Sequence, residues 1–563
     1  MRKASEVRQM KKYTIGVDFG TLSARAVLVE TGTGRETASA VAEYAHGVMD
    51  TTLADGTPLP PQFALQDPSD YLHALDTVLH EVFAASGVTP AEVAGLGVDF
   101  TCCTLLPVLS DGTPLCFLPQ YKSEPHAYVK LWKHHAAQPY ADKINRLARE
   151  RGEKWLARYG GAINSEWMFP KIYEVLDRAP EIYEKAAYFI EAGDWITWML
   201  TDQQVRGYVY AAYKGIYDIE TGYPGEDFWG ALDPRLAHVV SEKLNAPLAG
   251  IGERVGEVTP IAAEQFGLAA GTPVAAALPD AHCAAPALGV TRPGDLYAIF
   301  GTSACFFLLG DRDVAVPGIC GTVRNGVLPG FYGYEAGLCC LGDHFAYAAE
   351  RLTSPAYVKE AEEKNISMLR LLLAKAAVLA PGESGVLALN WFNGNRNVLM
   401  NAELSGLFVG LTLATKPEHL MRALLEATAF GTRMIFDALE GAGLPICRVT
   451  ASGGIARKDP FFMQLYADIL GKELRVSGTA QGPAQGTAIS AAVAAGVYPD
   501  HAAAMEKMCH LSDIVYHPNP QNTPTYDELY EKYRTLHDYF GRGGNPVMNE
   551  LKTLARRAKE NKN

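Results

Sequence analysis

Three short segments of the sequence combine glycine with hydroxyl or acidic residues at points where a strand is expected to end. They read VDFGT at residues 17–21, FGTSACFF at 300–307 and ASGGIARKDP at 451–460. Glycine lets the backbone approach a ligand closely, and the N–H groups and hydroxyls of such turns can point at phosphate oxygens. Either of the first two turns, taken alone, is more readily an ordinary β-hairpin turn, but their repetition strengthens the case for a phosphate site. The residues expected there are Gly20, Thr21, Gly301, Thr302 and Ser303.

The third segment leads into a predicted helix. Asp459 is a typical N-cap residue, and Pro460 suits the first helical position. Just before them, Gly453 and Gly454 would let an adenine ring lie flat against the backbone. The alternative is a strand-to-helix turn that binds nothing.

Two aspartates follow apolar segments that are predicted to be strands. Asp18 comes directly after Val17, and Asp280 stands in ALPDAHCAAPALG, before a predicted helix of small residues. A carboxylate in either place can act on a ligand, but turn amides can also satisfy Asp18, and Asp280 suits a helix N-cap. The residues alone leave both alternatives open, with the cap favoured for Asp280.

Two charged residues lie among aromatic and small residues in segments expected to be loops. They are Lys214 in YVYAAYKGIYD and Glu335 in FYGYEAG. Sugar recognition needs hydrogen-bonding groups beside aromatic walls, so both residues suit a small polar ligand. The alternatives are a buried ion pair, or exposed charges that have aromatic neighbours by coincidence.

Composition and missing motifs exclude several classes of protein. The sequence has neither a P-loop nor a dinucleotide-binding glycine motif, and the DFG at 18–20 has no HRD before it. The net charge of −13 argues against general binding to nucleic acid or anionic membrane.

Ten cysteines without C-x-x-C spacing indicate reduced thiols. With no leader-like or long apolar segment, we expect a cytoplasmic protein, starting at Met1 or Met10.

The elements that would position these residues form two similar sets. YTIGVDFGTLSARAVLVE and GDLYAIFGTSACFFLLGD both predict strand, Gly-Thr turn and strand. A chain of 563 residues is too long for one ordinary core. We therefore expect a duplicated α/β architecture with a cleft between the halves. The predicted domains are residues 12–292 and 293–545, followed by a charged tail at 546–563.

In this order, the three glycine segments resemble those of the FGGY carbohydrate kinases. GVDFGT is similar to their first phosphate motif, FGTSACFF to the second, and ASGGIARKDPFFMQLYADIL to the adenosine motif, while GLFVGLTLATKPEHLMRALLE resembles their C-terminal signature. The resemblance covers nearly the whole chain. It implies two actin-like (ribonuclease H-like) domains, with the sugar mainly on the first and ATP mainly on the second.

The resemblance also implies a role for individual residues. Asp280 would be the catalytic base, in contact with the sugar, and Asp18 would hold Mg²⁺. Arg25 would lie near the phosphates, although it is equally an exposed strand charge. The other implied ATP contacts are Gly453, Gly454 and Lys458, and the other implied sugar contacts are Cys102, Trp132, Lys214 and Glu335.

Trp132 has a second interpretation. It stands in KLWKHHAAQ, where related kinases use a tryptophan as a wall for the sugar. A tryptophan on a helix, however, commonly packs into a core instead.

The segments GVDFTCCTLLPV, AAYKGIY and LPDAHCAAPALGV resemble the family members that phosphorylate L-ribulose. The implied reaction is ATP-dependent conversion of L-ribulose to L-ribulose 5-phosphate, in arabinose catabolism. Xylulose, D-ribulose and a pentitol are the alternative substrates. A nucleotide-switched binding or filament protein on the same fold is the alternative from another class. The oligomeric state is open, with a homodimer as one option.

Overall fold

A computed structural model describes residues 12–560. The two alternative starts, Met1 and Met10, and the last three residues of the predicted tail lie outside this range. No helix in the described part is long and apolar enough to cross a membrane.

The first half of the chain builds one large sheet, a four-stranded sheet, a two-stranded sheet and a set of surrounding helices. Its strands are β1 (Tyr13–Phe19), β2 (Ser23–Glu30), β3 (Glu36–Glu43), β4 (Leu65–Gln66), β5 (Val93–Phe100), β6 (Leu105–Val108), β7 (Val129–Lys130), β8 (Tyr188–Glu191), β9 (Arg206–Gly207), β10 (Leu248–Ala249), β11 (Arg254–Glu257), β12 (Pro273–Ala275) and β13 (Leu278–Pro279). Its helices are α1 (Pro68–Ser86), α2 (Gln138–Arg151), α3 (Met168–Arg178), α4 (Pro180–Lys185), α5 (Ala192–Thr201), α6 (Tyr208–Lys214), α7 (Glu226–Leu232), α8 (Val239–Lys243) and α9 (Pro260–Phe266).

The second half builds another large sheet. Its strands are β14 (Asp295–Phe300), β15 (Ala304–Gly310), β16 (Gly321–Arg324), β17 (Tyr332–Leu338), β18 (Leu387–Leu389), β19 (Leu407–Val409), β20 (Arg448–Ser452), β21 (Leu474–Ser477) and β22 (Leu511–Tyr516). Its helices are α10 (Gly342–Arg351), α11 (Pro355–Glu363), α12 (Met368–Ala377), α13 (Pro417–Gly441), α14 (Gly454–Lys458), α15 (Pro460–Leu470), α16 (Gly482–Ala494), α17 (His501–Met508), α18 (Thr523–Gly541) and α19 (Val547–Glu560).

The two large sheets share one strand pattern. In the first, β3, β2 and β1 form an antiparallel meander and β5 and β12 continue on the other side of β1. In the second, β17, β15 and β14 form the meander and β20 and β21 continue beside β14. The parallel strand β5 is buried along its whole length, as central parallel strands are. The predicted duplication of an α/β unit is therefore confirmed.

Helix α16 belongs to the second half in sequence but packs against β1 and β5 of the first sheet. The helix is rich in glycine and alanine, so its backbone can come close to the strands. A Cβ atom at Gly16 of β1 would lie 1.8 Å from the carbonyl oxygen of Ala484, which no side chain could tolerate. This close contact joins the two halves.

The chain segment predicted to be a charged tail contains helix α19. Met548 on this helix is buried, and Nζ of Lys552 donates to the carbonyl oxygens of Ala402 and Leu404 at 2.9 and 3.1 Å. The helix thus packs against the second half. The domain limits at residues 292 and 545 stay predictions.

Candidate active site

Three aspartates gather at one edge of the first sheet. Asp18 of β1 is directly opposite Asp99 of the parallel strand β5. Strand β13 pairs with the end of β5, and the N–H of Asp280 donates to the carbonyl oxygen of Phe100 at 2.9 Å. The carboxyl ends of parallel strands meet at the same edge, which is why residues so distant in sequence lie together.

Burial perturbs the pKa of all three carboxyl groups, and the charge of Asp18 adds to the effect at the other two. Burial raises the pKa of Asp280 to about 7, and the charge of Asp18 adds to the effect. Burial, with the charge of Asp18, also raises the pKa of Asp99 well above its usual range. Burial raises the pKa of Asp18, opposed by Arg25. A cation bound beside these groups would relieve the excess of negative charge.

The predicted N-cap role of Asp280 is only partly realised. Its Oδ1 accepts from the N–H of Ala281 at 2.7 Å, but the residues that follow form turns and the 3₁₀-helix Ala285–Leu288, where a helix was expected. The side chain is half-buried. The Asp280 carboxylate therefore does not cap an α-helix.

Arg25 joins the aspartates to the second half of the chain. Its Nε lies 3.4 Å from Oδ2 of Asp18, and its Nη1 donates to Oε1 of Gln481 at 3.0 Å. Gln481 is the residue before helix α16. Arg25 is thus a partly exposed charge on strand β2 that has partners in both halves, and its contact with phosphate stays a prediction.

The turn at Gly20 and Thr21 meets Trp132. The N–H of Gly20 donates to the carbonyl oxygen of Ser23 at 2.9 Å, which closes the β1–β2 hairpin. Nε1 of Trp132 donates to Oγ1 of Thr21 at 3.2 Å. Trp132 lies in a turn and is 36% exposed, so its alternative place, in a helix within the core, is wrong. The structure thus brings a predicted sugar wall beside a predicted phosphate turn.

The other two glycine turns lie together at the edge of the second sheet. Gly301–Ser303 connects β14 to β15, and Gly453 follows β20, the parallel neighbour of β14. Gly453 has a φ of +95°, and a Cβ atom there would lie 2.3 Å from the carbonyl oxygen of Phe300. Gly454 has open space where its Cβ would be. Lys458 is exposed at the end of the short helix α14.

The helix predicted to start at Asp459 is present as α15. The Asp459 side chain accepts from the N–H of Phe462 at 3.0 Å, and Pro460 holds the first position. This prediction is confirmed.

Lys214 and Glu335 form a buried ion pair between the halves. Nζ of Lys214 donates to Oε1 of Glu335 at 2.9 Å. Lys214 ends helix α6 and Glu335 lies within β17, so neither stands in a loop as the sequence suggested. Burial alone would raise the pKa of Glu335, but Lys214, His282 and Arg396 together outweigh it and lower that pKa below its usual range.

Arg396 is a member of this cluster that the sequence did not predict. Its Nη2 donates to Oε1 of Glu335 at 2.6 Å. The only local signal that could have found it is the polar segment NGNRN around it, which does not point to Glu335. His282 was missed too, and its Nε2 lies 3.4 Å from Oε2 of Glu335.

Cys102 lies in the loop that continues β5 towards β6, half-buried, near the same cluster. Burial raises the pKa of its thiol well above the usual range, and the charge of Lys214 is close enough to oppose that effect. The thiol therefore stays protonated at neutral pH and can act as a small, weakly polar wall.

The residues present fit a magnesium ion bound together with phosphate. Within residues 12–560, no three acidic, histidine or cysteine side chains are arranged to hold a metal by themselves. Mg²⁺ usually keeps several waters and takes one or two carboxylates together with substrate phosphates. Asp18 offers such a carboxylate beside the turn at Gly20. Oδ1 of Asp99 is buried and has no hydrogen-bond partner in the part of the chain that the structure describes.

Comparison with known proteins identifies the family. Residues 13–287 match the N-terminal domain, and residues 296–495 the C-terminal domain, of the FGGY family of carbohydrate kinases. A protein of Bacillus licheniformis named ribulokinase is 48% identical over 95% of this chain and 97% of its own length. A ribulokinase of Geobacillus thermodenitrificans is 48% identical over 98% and 99%.

Solved structures agree on the fold. The xylulose kinase of Rhodospirillum rubrum matches with a TM-score of 0.77 at 25% identity, over 93% of this chain and 98% of that one. The gluconate kinase of Lactobacillus acidophilus also reaches 0.77, at 19% identity, over 94% and 99%. The predicted two-domain sugar-kinase fold is confirmed, and this chain belongs to the FGGY family of carbohydrate kinases.

Proposed function

We propose that this chain transfers the terminal phosphate of ATP to a hydroxyl of L-ribulose and releases L-ribulose 5-phosphate, a step in arabinose catabolism. The observation that carries the choice of sugar is the identity of 44–48% with ribulokinases of Bacillus licheniformis, Geobacillus thermodenitrificans and Mycolicibacterium smegmatis, over at least 95% of this chain. A cytoplasmic location is part of this proposal, since all ten cysteines are free, as is typical of that compartment.

Asp280 acts as the base in this proposal. A general base works best with a pKa near the operating pH, and burial raises that of Asp280 to about 7. Its carboxylate would accept the proton of the terminal hydroxyl while that oxygen attacks the phosphate. Its place at the edge of the first sheet, beside Asp18, puts the base close to the turn expected to bind phosphate.

Magnesium, when bound with ATP, would neutralise phosphate charge and so favour attack by the sugar oxygen. Asp18 would hold it, directly or through water. Arg25 would stay near the phosphates and keep Asp18 ionised, since its guanidinium opposes the rise in the pKa of that carboxyl. Gly20, Thr21 and Gly301–Ser303 would contribute backbone N–H groups and hydroxyls.

The adenosine part of ATP would lie against the turn after β20. Gly454 leaves open space there, so a flat ring could approach the backbone. Lys458 is exposed close by and would contact the nucleotide.

The sugar would lie between the halves. Lys214 and Glu335 would hydrogen-bond its hydroxyls, and Trp132 and Cys102 would form its walls. Oε2 of Glu335 is buried, and Nε2 of His282 lies 3.4 Å from it without hydrogen-bond geometry, so within residues 12–560 this oxygen has capacity to accept from a ligand. Closure of the halves around the sugar would exclude water, which would otherwise consume ATP.

Xylulose is the alternative sugar with direct support, because the related structure from Rhodospirillum rubrum is of a xylulose kinase. Its identity of 25% is far below that of the ribulokinases. D-Ribulose and pentitols remain further alternatives. The nucleotide-switched binding protein is disfavoured, since a switch has no need of a base with the pKa of Asp280.

The test is ADP release with L-ribulose, D-ribulose, L- and D-xylulose and ribitol, at saturating ATP and Mg²⁺. We expect the highest kcat/KM for L-ribulose. A higher kcat/KM for a xylulose would make that sugar the proposed substrate. If none of these sugars raised ADP release above the basal ATPase, the proposal of a sugar kinase would be contradicted.

A further inference from the structure

Two buried charged residues hold a single peptide group in the loop that contains Cys102. Nζ of Lys171, on α3, donates to the carbonyl oxygen of Cys103. Oε2 of Glu191, at the end of β8, accepts from the N–H of Thr104 at 3.0 Å. These two atoms are the two ends of the same peptide bond. The side chains therefore fix the orientation of that peptide plane.

The backbone conformation at Cys103 is unfavourable without support from its surroundings. Cys103 has a φ of +63°, in the left-handed region that residues other than glycine seldom occupy. Such a conformation persists where the surroundings impose it, and it is found mostly at functional sites. Here the imposing groups come from two elements, α3 and β8, that are 68 and 87 residues away from the peptide in sequence.

The two charges are unusual in their degree of burial. Lys171 is 0% and Glu191 2% exposed. Burial lowers the pKa of Lys171 and raises that of Glu191 to about 7, so each charge is costly to keep in this place. An apolar pair could fill the same volume at less cost, so packing alone does not account for them.

Lys171 also reaches a second part of the proposed sugar site. Its Nζ lies 3.5 Å from the carbonyl oxygen of Lys130, in β7. Trp132 follows two residues later and contacts Thr21. One ammonium group thus touches both the Cys102 loop and the strand that leads to Trp132.

We propose that Lys171 and Glu191 are positioning residues, which lock the Cys103–Thr104 peptide and thereby place Cys102 and Trp132 for the sugar. This inference rests on the proposed function, because it assigns the loop to sugar binding. It predicts an effect mainly on the sugar, since the hydrogen bonds of both residues go to the Cys102 loop and to β7, and not to the turns at Gly20–Thr21 and Gly301–Ser303 where phosphate is expected.

The test uses Lys171→Met, with Lys243→Met as the matched control. Lys243 is also buried and donates to a carbonyl oxygen, that of Ala186, at 2.7 Å, but on α8 and outside the proposed site. We expect Lys171→Met to raise the KM for L-ribulose about tenfold, the equivalent of one hydrogen bond, with kcat and the KM for ATP nearly unchanged. Lys243→Met should leave all three constants unchanged.

A second variant separates positioning from packing. Glycine adopts a φ of +63° without strain, so Cys103→Gly combined with Lys171→Met should recover most of the affinity for the sugar. An unchanged KM in Lys171→Met, an equal rise in Lys243→Met, or no recovery in the double variant would each overturn the proposal.

Amide hydrogen exchange gives a readout that does not need activity. The Thr104 amide should exchange faster in Lys171→Met than in the wild type and Lys243→Met. Unchanged exchange would overturn the lock even if the enzyme were active. If the wild-type protein phosphorylated no sugar, the proposed function would fail, while faster exchange would still support the lock on the peptide.

Discussion

Nζ of Lys214 lies 2.9 Å from Oε1 of Glu335, and this buried ion pair joins helix α6 of the first half to strand β17 of the second. The partners are 121 residues apart in sequence. The contact therefore exists only when both halves are folded and brought together.

The effects of losing Lys214 and of losing Glu335 should not be additive. Lys214→Met leaves a buried carboxylate with fewer cations around it, and such single losses cost about 3–5 kcal/mol. We expect Lys214→Met to lower the urea midpoint strongly, and Lys214→Met with Glu335→Gln to lower it by less than the sum of the single variants. Strict additivity in a double-mutant cycle would contradict coupling between the two side chains. Both single variants should also raise the KM for the sugar.

The pH dependence of the rate should follow Asp280. With its pKa raised to about 7, the carboxyl group is protonated in acid and cannot accept a proton. We expect kcat/KM for the sugar to fall below that pH, by roughly tenfold per pH unit. Asp280→Asn should lower kcat by about 10²–10⁴-fold and abolish this limb of the profile. If an active Asp280→Asn variant kept the same fall in kcat/KM towards acid pH, the titrating group would be another residue.

The same carboxyl group should make folding less favourable at high pH. Its pKa is about 7 when folded against an ordinary 3.8, so the folded protein binds the proton more tightly between these values. The contribution of Asp280 to the free energy of unfolding therefore decreases as the pH rises through this window. Asp280→Asn lacks the effect and should gain stability relative to wild type between pH 4 and pH 8. The check is urea unfolding of both proteins across that range, and a constant difference would count against the shifted pKa.

Gly453 and Gly454 should respond differently to the same substitution. Gly453→Ala introduces a Cβ atom that meets the Phe300 carbonyl oxygen at a φ of +95°, and we expect a loss of about 1–3 kcal/mol in stability. Gly454→Ala meets nothing in the protein, so its stability should be unchanged. If the adenine ring lies against this backbone, Gly454→Ala should still raise the KM for ATP several-fold, with the KM for the sugar unaffected. An unchanged KM for ATP would remove this glycine from the nucleotide site.

Asp18→Asn tests the proposed magnesium ligand. An amide oxygen binds Mg²⁺ more weakly than a carboxylate, so the Mg²⁺ concentration for half-maximal activity should rise about tenfold at saturating ATP. Asp111→Asn is the control, since Asp111 is an exposed acid in a surface turn. An equal response of both variants would mean that Asp18 has no special contact with the metal.

The glycine turns were predictable from the sequence because their requirements are local. A positive φ at Gly453, and the Gly20 turn closing a hairpin between two apolar strands, depend on residues within a few positions. The same holds for the N-cap at Asp459 and for the repeated strand–turn–strand unit. Local sequence was a poor guide at Trp132. Its neighbours suggested a helix, but the residue lies in a turn that follows a short strand.

The sequence by itself thus determined the family, the duplicated α/β plan and the segments that form the glycine turns. Only the tertiary structure decided which charges meet: Glu335 with Lys214 and Arg396, Asp18 with Asp99, and Lys171 with the peptide after Cys103. The raised pKa of Asp280 was decided there too, because burial and neighbouring charges set it. The physical reason is that turns and caps are governed by short-range sterics and hydrogen bonds, whereas electrostatic partners and desolvation depend on how distant elements pack.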